Sequence, residues 1–267
     1  MKSILWWVFA FLFMTSVAIY QKMTGPTYPV RAKVEIENMS YKYKLIRSAN
    51  NDVDARIEIE IPSNEVSGIY KYKRFKSFDD WTNMEMIREG NLLIANIPKQ
   101  AAAGKIEYQI SLIKEGKAYV LSTDPVVMRF KGVVPAFVII PHIFFMFLAM
   151  IFSTRAGIEA FRKGNGLFKQ TQFTVIFLLI GGLILGPIVQ NYAFGAYWTG
   201  WPFGHDLTDN KTIIAFIFWA IALFQVMKKK PKAGLWVIIA TAVMLAIYLI
   251  PHSVLGSEID YTQIPNQ

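Results

Sequence analysis

A chain of 267 residues that is 54% hydrophobic and 15% aromatic carries more apolar side chain than a soluble domain of its length, which is usually about 45–50% apolar. Its formal charge of +9 is gathered in short segments beside apolar runs, a distribution that marks membrane topology and argues against nucleic acid as a partner. Cysteine is absent, which excludes disulfides, cysteine-held zinc, iron–sulfur clusters and covalent haem attachment through this chain.

The first apolar run, residues 4–20, follows Lys2 and holds Trp6, Trp7, Phe9, Phe11 and Phe13. A cleaved signal peptide has a similar length. The nearest small-x-small site, Ser16-Val17-Ala18, is followed by bulky Ile19 and Tyr20, so residues 1–21 read as a retained transmembrane anchor, with a signal as the alternative. A basic amino end stays inside, which sends the chain outside the cytoplasm from residue 22.

Residues 22–132 are rich in both signs of charge, and their apolar positions alternate with polar ones. Alternation is clear in Lys33-Val34-Glu35-Ile36-Glu37, in Arg56-Ile57-Glu58-Ile59-Glu60-Ile61 and in Lys105-Ile106-Glu107-Tyr108-Gln109-Ile110. Period-two patterning buries one face of a strand and wets the other. Turn signals at Asn50-Asn51-Asp52, Pro62-Ser63-Asn64, Glu89-Gly90-Asn91, Ala103-Gly104 and Glu115-Gly116 separate the runs. The spacing predicts about seven to nine short strands in an antiparallel β-sandwich. The stretch from Asn91 through Ile97-Pro98 to Ala103-Gly104-Lys105-Ile106-Glu107-Tyr108-Gln109-Ile110 resembles the late strands of fibronectin type III and immunoglobulin-like domains. That resemblance implies a fold and no particular partner. Tyr70-Lys71-Tyr72-Lys73-Arg74-Phe75-Lys76 reads as a strand with one solvated face; a docking surface for an acidic partner or lipid headgroups is the alternative.

Four further apolar runs follow at 133–152, 173–189, 212–227 and 235–250. Each is close to the roughly 20 residues that span a bilayer. Arg155, Arg162, Lys163 and Lys169 follow one run, and Lys228, Lys229, Lys230 and Lys232 follow another. Counting crossings from the anchor puts both basic loops inside. The predicted class is therefore an α+β membrane protein: an anchor, an extracytoplasmic sandwich, and a four-helix bundle over 133–252. Loop 191–211 and tail 253–267 fall outside. The predicted location is the cytoplasmic (inner) membrane, with the N-terminus inside and the β-domain and C-terminus outside. The bilayer is the expected partner, together with other membrane or extracytoplasmic proteins. Gly181-Gly182, Gly186 and Pro187 in the third run allow close helix approach, and a broken transporter helix has a similar pattern.

All three histidines lie in the bundle region. His142 sits in Ile140-Pro141-His142-Ile143, His205 in Phe203-Gly204-His205-Asp206, and His252 in Ile250-Pro251-His252-Ser253. An ionisable group inside hydrocarbon is costly and marks a candidate site, and neutral imidazole is a common metal and haem ligand. Each also has a structural reading: a bond from His142 to a carbonyl on a neighbouring helix, an interfacial helix end for His252, and an ordinary loop position for His205. Loop 191–211 is unusual for its Tyr192, Phe194, Tyr197, Trp198, Trp201 and Phe203 among glycines. Interfacial aromatic belts share that composition, and Asp206, Thr208 and Asp209 suit a helix N-cap.

The loop and its flanking histidines resemble the haem-handling membrane proteins of cytochrome c assembly, which carry a tryptophan-rich outer segment between two haem-ligating histidines. Here His142, the Trp198/Trp201 loop and His252 follow that order. The segment departs from the family in placing Pro202-Phe203-Gly204-His205 between Trp201 and Asp206. The resemblance implies haem bound by His142, His252, Trp198 and Trp201; His205 and Asp206 are candidate ligands for a transition metal. Rise along ideal helices sets His142 about 20 Å and His252 about 30 Å above the inner face, so direct clamping of one iron needs tilt or a kink at Pro141. The leading expectation is cofactor handling or electron transfer. An accessory or scaffold subunit that binds partners through its sandwich, and a small-solute or ion transporter, are the alternatives. No nucleophile–base constellation stands out, which leans away from an enzyme.

Overall fold

The computed structural model describes residues 2–251 and 258–263. Contacts divide the chain into two compact units: 1–26 with 134–256, and 27–133 with 257–267.

The β-unit follows from alternation. β4 (Ala55–Glu60) buries every second residue, and β9 (Lys105–Lys114) does the same over ten residues. Their inward side chains, including Ile57, Ile59, Ile106, Tyr108, Ile110 and Leu112, meet in one core. β1 (Val30–Ile36) pairs with β2 (Met39–Leu45) as a separate hairpin. β3 (Ser48–Asn50), β5 (Ser67–Arg74), β6 (Thr82–Glu85), β9 and β11 (Val126–Lys131) share a second sheet in the order β3-β11-β9-β5-β6, and β10 (Lys117–Val120) also pairs with β9. β4, β8 (Leu92–Ile97) and β7 (Ile87–Glu89) form a third, in the order β4-β8-β7. The eleven strands among the described residues exceed the number expected, because β3, β6 and β7 are too short to show a period. A second correction concerns direction: β3 runs parallel to β11. The two are far apart in the chain, so no hairpin forces them to be antiparallel.

The stretch 70–76 is not a free cationic surface. Arg74 makes two 2.7 Å bonds to Asp79, Lys73 pairs with Glu107, and Lys76 pairs with Glu258. Glu258 also accepts from Lys105, and Tyr261 lies under Arg74 with its ring centroid 4.8 Å from the guanidinium carbon. Residues 258–263 are thus tied to the β-unit by charge and by ring contact.

Four helices of the other unit are long and apolar enough to cross a membrane: α1 (Lys2–Thr24), α2 (Ala136–Arg162), the continuous stretch Leu167–Phe194, and α5 (Leu207–Met227). α6 (Ala233–Leu249) is apolar but shorter. The stretch Leu167–Phe194 comprises α3 (Leu167–Leu178), a π-helical segment (Leu179–Leu185) and α4 (Gly186–Phe194). In α1, Ala10, Met14, Val17 and Gln21 recur at helical spacing and are buried. Its Trp7 meets Phe152 edge-on at 4.8 Å, and Gln21 donates to the carbonyl of Tyr248.

Two helix ends depart from the apolar runs where a polar side chain finds a partner. α2 continues ten residues past the expected end at 152, taking Arg155 out of the predicted basic loop. Arg155 donates to Glu159 at 2.5 Å, and Glu159 accepts from the Gly166 backbone at 3.0 Å. That pairing offsets part of the cost of burying either charge. α5 begins at Leu207 and not at 212, because Asp206 caps it by accepting from the Thr208 N–H at 2.8 Å.

Candidate functional site

His142 is half-buried on α2, one residue after Pro141. Its Nδ1 lies 2.9 Å from the carbonyl oxygen of Gly181 in the π-helical segment. That carbonyl also accepts the N–H of Gly186, the five-residue step of a π-helix. A carbonyl only accepts, so Nδ1 carries the proton; in the neutral ring Nε2 is then left with its lone pair. Glycine is required at 181: an added Cβ would stand 2.9 Å from the backbone nitrogen of Met146. Close backbone approach, the widened helix and the oriented imidazole are therefore one local arrangement. A bond to a neighbouring helix was among the readings drawn from sequence, but the π-segment that supplies the acceptor carries no sequence signature beyond its glycines.

The connection between α4 and α5 is built around Asp209, a buried residue of the first turn of α5. Its Oδ2 accepts from the backbone N–H of Thr199 at 2.6 Å, from that of Gly200 at 2.9 Å, and from Gln190 Nε2 at 3.1 Å. Next to it, Asn210 Oδ1 accepts from the Trp201 N–H at 2.6 Å. Lys211, also buried, donates to the carbonyl of Ile250 at 3.0 Å. Gly200 fits because a Cβ there would lie 2.5 Å from the Cβ of Asp209. Sequence reasoning offers Asp209 as a cap candidate and passes over Gln190, Asn210 and Lys211. The available signal was a run of three polar residues, Asp209-Asn210-Lys211, placed inside what becomes a membrane-length helix.

The predicted ligands fall into distinct settings. Trp198 is half-buried, and its indole N–H donates to the Trp201 carbonyl at 3.0 Å. The Trp201 side chain is 68% exposed and Phe203 is 83% exposed, so the loop holds its backbone internally and turns these rings outward. His205 is exposed in the same connection, and Asp206 gives its carboxylate to the α5 cap. His252 lies outside the described residues. Among the described residues no three His, Asp or Glu side chains gather where a metal ion could be held.

No protein-family model, no curated protein and no solved structure matches this chain.

Proposed function

We propose that this chain is a multi-pass inner-membrane protein that handles haem at the outer end of its helical bundle. The observation that carries the reading is the fixed tautomer of His142: with Nδ1 held by Gly181, Nε2 is the nitrogen left to meet an iron. An orienting hydrogen bond on the other ring nitrogen is the usual companion of a metal-binding histidine. The donor set suits haem better than a metal held wholly by protein, since haem needs only axial ligands from the chain. The 195–206 connection would supply an apolar, aromatic wall, with Trp198 as its half-buried member. Haem would bring the iron redox chemistry; this chain's residues would orient one imidazole and exclude water.

Orientation has its own support. Residues 27–133 and the tail from 257 belong to one compact unit, so a bilayer crossed by the helices between them must be crossed an even number of times. α2, the stretch Leu167–Phe194 and α5 give three crossings, and short α6 supplies the fourth. The basic segments at 162–169 and 228–232 then share the inner side.

Full-length protein purified in detergent and titrated with haem tests the reading by its absorption spectrum. We expect a Soret shift at one haem per chain that His142→Ala abolishes, while His205→Ala leaves it intact. A chain that takes up no haem, or binds it equally well with His142→Ala, overturns the proposal.

The exposed Trp201 and Phe203 rings favour a second reading, an accessory subunit that docks a membrane partner through this connection. A partner that co-purifies with the native chain and is lost in Trp201→Ala/Phe203→Ala, with His142→Ala behaving as wild type, selects it.

A further inference from the structure

The β1–β2 hairpin turns Ile36, Tyr43 and Leu45 into the β-core and carries Arg31, Lys33, Lys42 and Lys44 on its solvent face. Its ladder sets Arg31 opposite Lys44 and Lys33 opposite Lys42. Like charges directly across a ladder destabilise it, so these two pairings carry an electrostatic cost. Several other cations of the unit have carboxylate partners: Arg56 with Glu58 and Glu89, Arg74 with Asp79, Lys105 with Glu258, Lys114 with Glu37 and Glu65. Among the described residues no ion pair involves Arg31, Lys33, Lys42 or Lys44. These four line an open groove of about 650 Å³ beside β4. Two carboxylates share that groove with the four cations: Glu58, held by Arg56 at 2.7 Å, and Glu60.

Chain continuity limits how far this face lies from the end of α1. α1 ends at Thr24 and β1 begins at Val30. A fully extended chain advances at most about 3.6 Å per residue, so Arg31 and Lys33 lie within roughly 25–32 Å of the end of α1. A bilayer crossed by α1 therefore presents its headgroups within reach of the hairpin, and anionic headgroups complement its charge. We propose that the outer face of the β1–β2 hairpin docks on anionic phospholipid headgroups of the leaflet at which α1 ends. The proposal rests on α1 crossing the membrane and is independent of haem.

The test uses the full chain in nanodiscs of phosphatidylcholine alone, or with about one-third phosphatidylglycerol, read by amide hydrogen exchange. With phosphatidylglycerol, hairpin amides around Lys33 and Lys42 should exchange more slowly, and the added protection should vanish near 1 M salt, where the screening length falls to about 3 Å. Each cation removed should weaken the docking about fivefold, so Lys33→Ser/Lys42→Ser should erase the difference. Unchanged exchange across β9 in that variant shows that the sandwich remains folded, and the salt arm needs no variant. Equal hairpin exchange in both lipid compositions overturns the proposal. So does protection by added polyglutamate in phosphatidylcholine discs exceeding that given by phosphatidylglycerol, since the partner would then be an acidic polymer.

Discussion

Asp209 shows how one side chain can decide the shape of a connection. Its carboxylate satisfies two backbone N–H groups and one side-chain amide in a buried setting. Leaving a buried donor without a partner costs about 1–3 kcal/mol. Asp209→Ala should therefore destabilise the bundle by about 2–4 kcal/mol and open the 195–206 connection to proteolysis, while Asp209→Asn, which keeps one acceptor oxygen, should lose less. Limited proteolysis beside a thermal melt in detergent measures both. Gly200→Ala should act on the same structure from the other side, because its Cβ would collide with that of Asp209. In the β-unit, Tyr108 is fully buried and donates to the Ile46 carbonyl at 2.8 Å. Tyr108→Phe should cost about 1 kcal/mol, measurable by denaturant unfolding.

At the scale of elements, an ion-paired carboxylate and a close backbone approach both constrain α2 against the segment that follows it. Near the short 163–166 turn, half-buried Glu159 accepts from the Gly166 backbone and is paired with buried Arg155 one helical turn earlier. Removing one partner of a buried pair leaves the other charge uncompensated and costs about 3–5 kcal/mol. Glu159→Ala should accordingly lower the melting temperature far more than a substitution at exposed Lys228. Around the π-helical segment the constraint is steric. Gly181→Ala meets a backbone nitrogen, which cannot move aside as a side chain can, and such overpacking costs about 1–3 kcal/mol. Because the Gly181 carbonyl also orients His142, Gly181→Ala should weaken haem binding along with stability if the proposed site is correct. The tail behaves as a separate element. Burial alone would raise the Glu258 carboxyl, but hydrogen bonds from Lys105 and Lys76 outweigh it and hold the group below its ordinary value. A depressed carboxyl stabilises the docked tail fully above the unfolded glutamate value of about 4.3 and loses that contribution as pH falls through the folded value. Exchange of the Ile259 amide, which donates to the Ala103 carbonyl, should accelerate relative to β9 as pH drops below about 4.

For the whole molecule, the testable quantity is topology. The chain contains no cysteine, so single introduced cysteines report sidedness without background. Phe78→Cys, at a position 84% exposed in the β-unit, and Thr262→Cys in the tail should react with an impermeant maleimide on intact cells. Lys229→Cys should react only after permeabilisation. Labelling of positions 78 and 262 from opposite sides would contradict an even number of crossings. The sequence displays the largest features of the molecule because they depend on sums over many residues. A run of about 20 apolar side chains outweighs any one polar exception, and period-two alternation over ten residues in β9 leaves little choice of structure. Short strands such as β3 and β7 escape notice because three residues hold no period.

By itself, the sequence determined where apolar helices and alternating strands form, since burial of apolar area is additive and local in pattern. Tertiary structure alone decided the fate of individual polar groups. His142 finds its acceptor 39 positions along the chain, Asp209 gathers donors from Gln190, Thr199 and Gly200, and Arg155 and Glu159 stay inside a helix that continues past its apolar run. Each outcome depends on a hydrogen-bond partner brought close by packing, and a partner's position in space is not written in the local pattern around the residue that needs it.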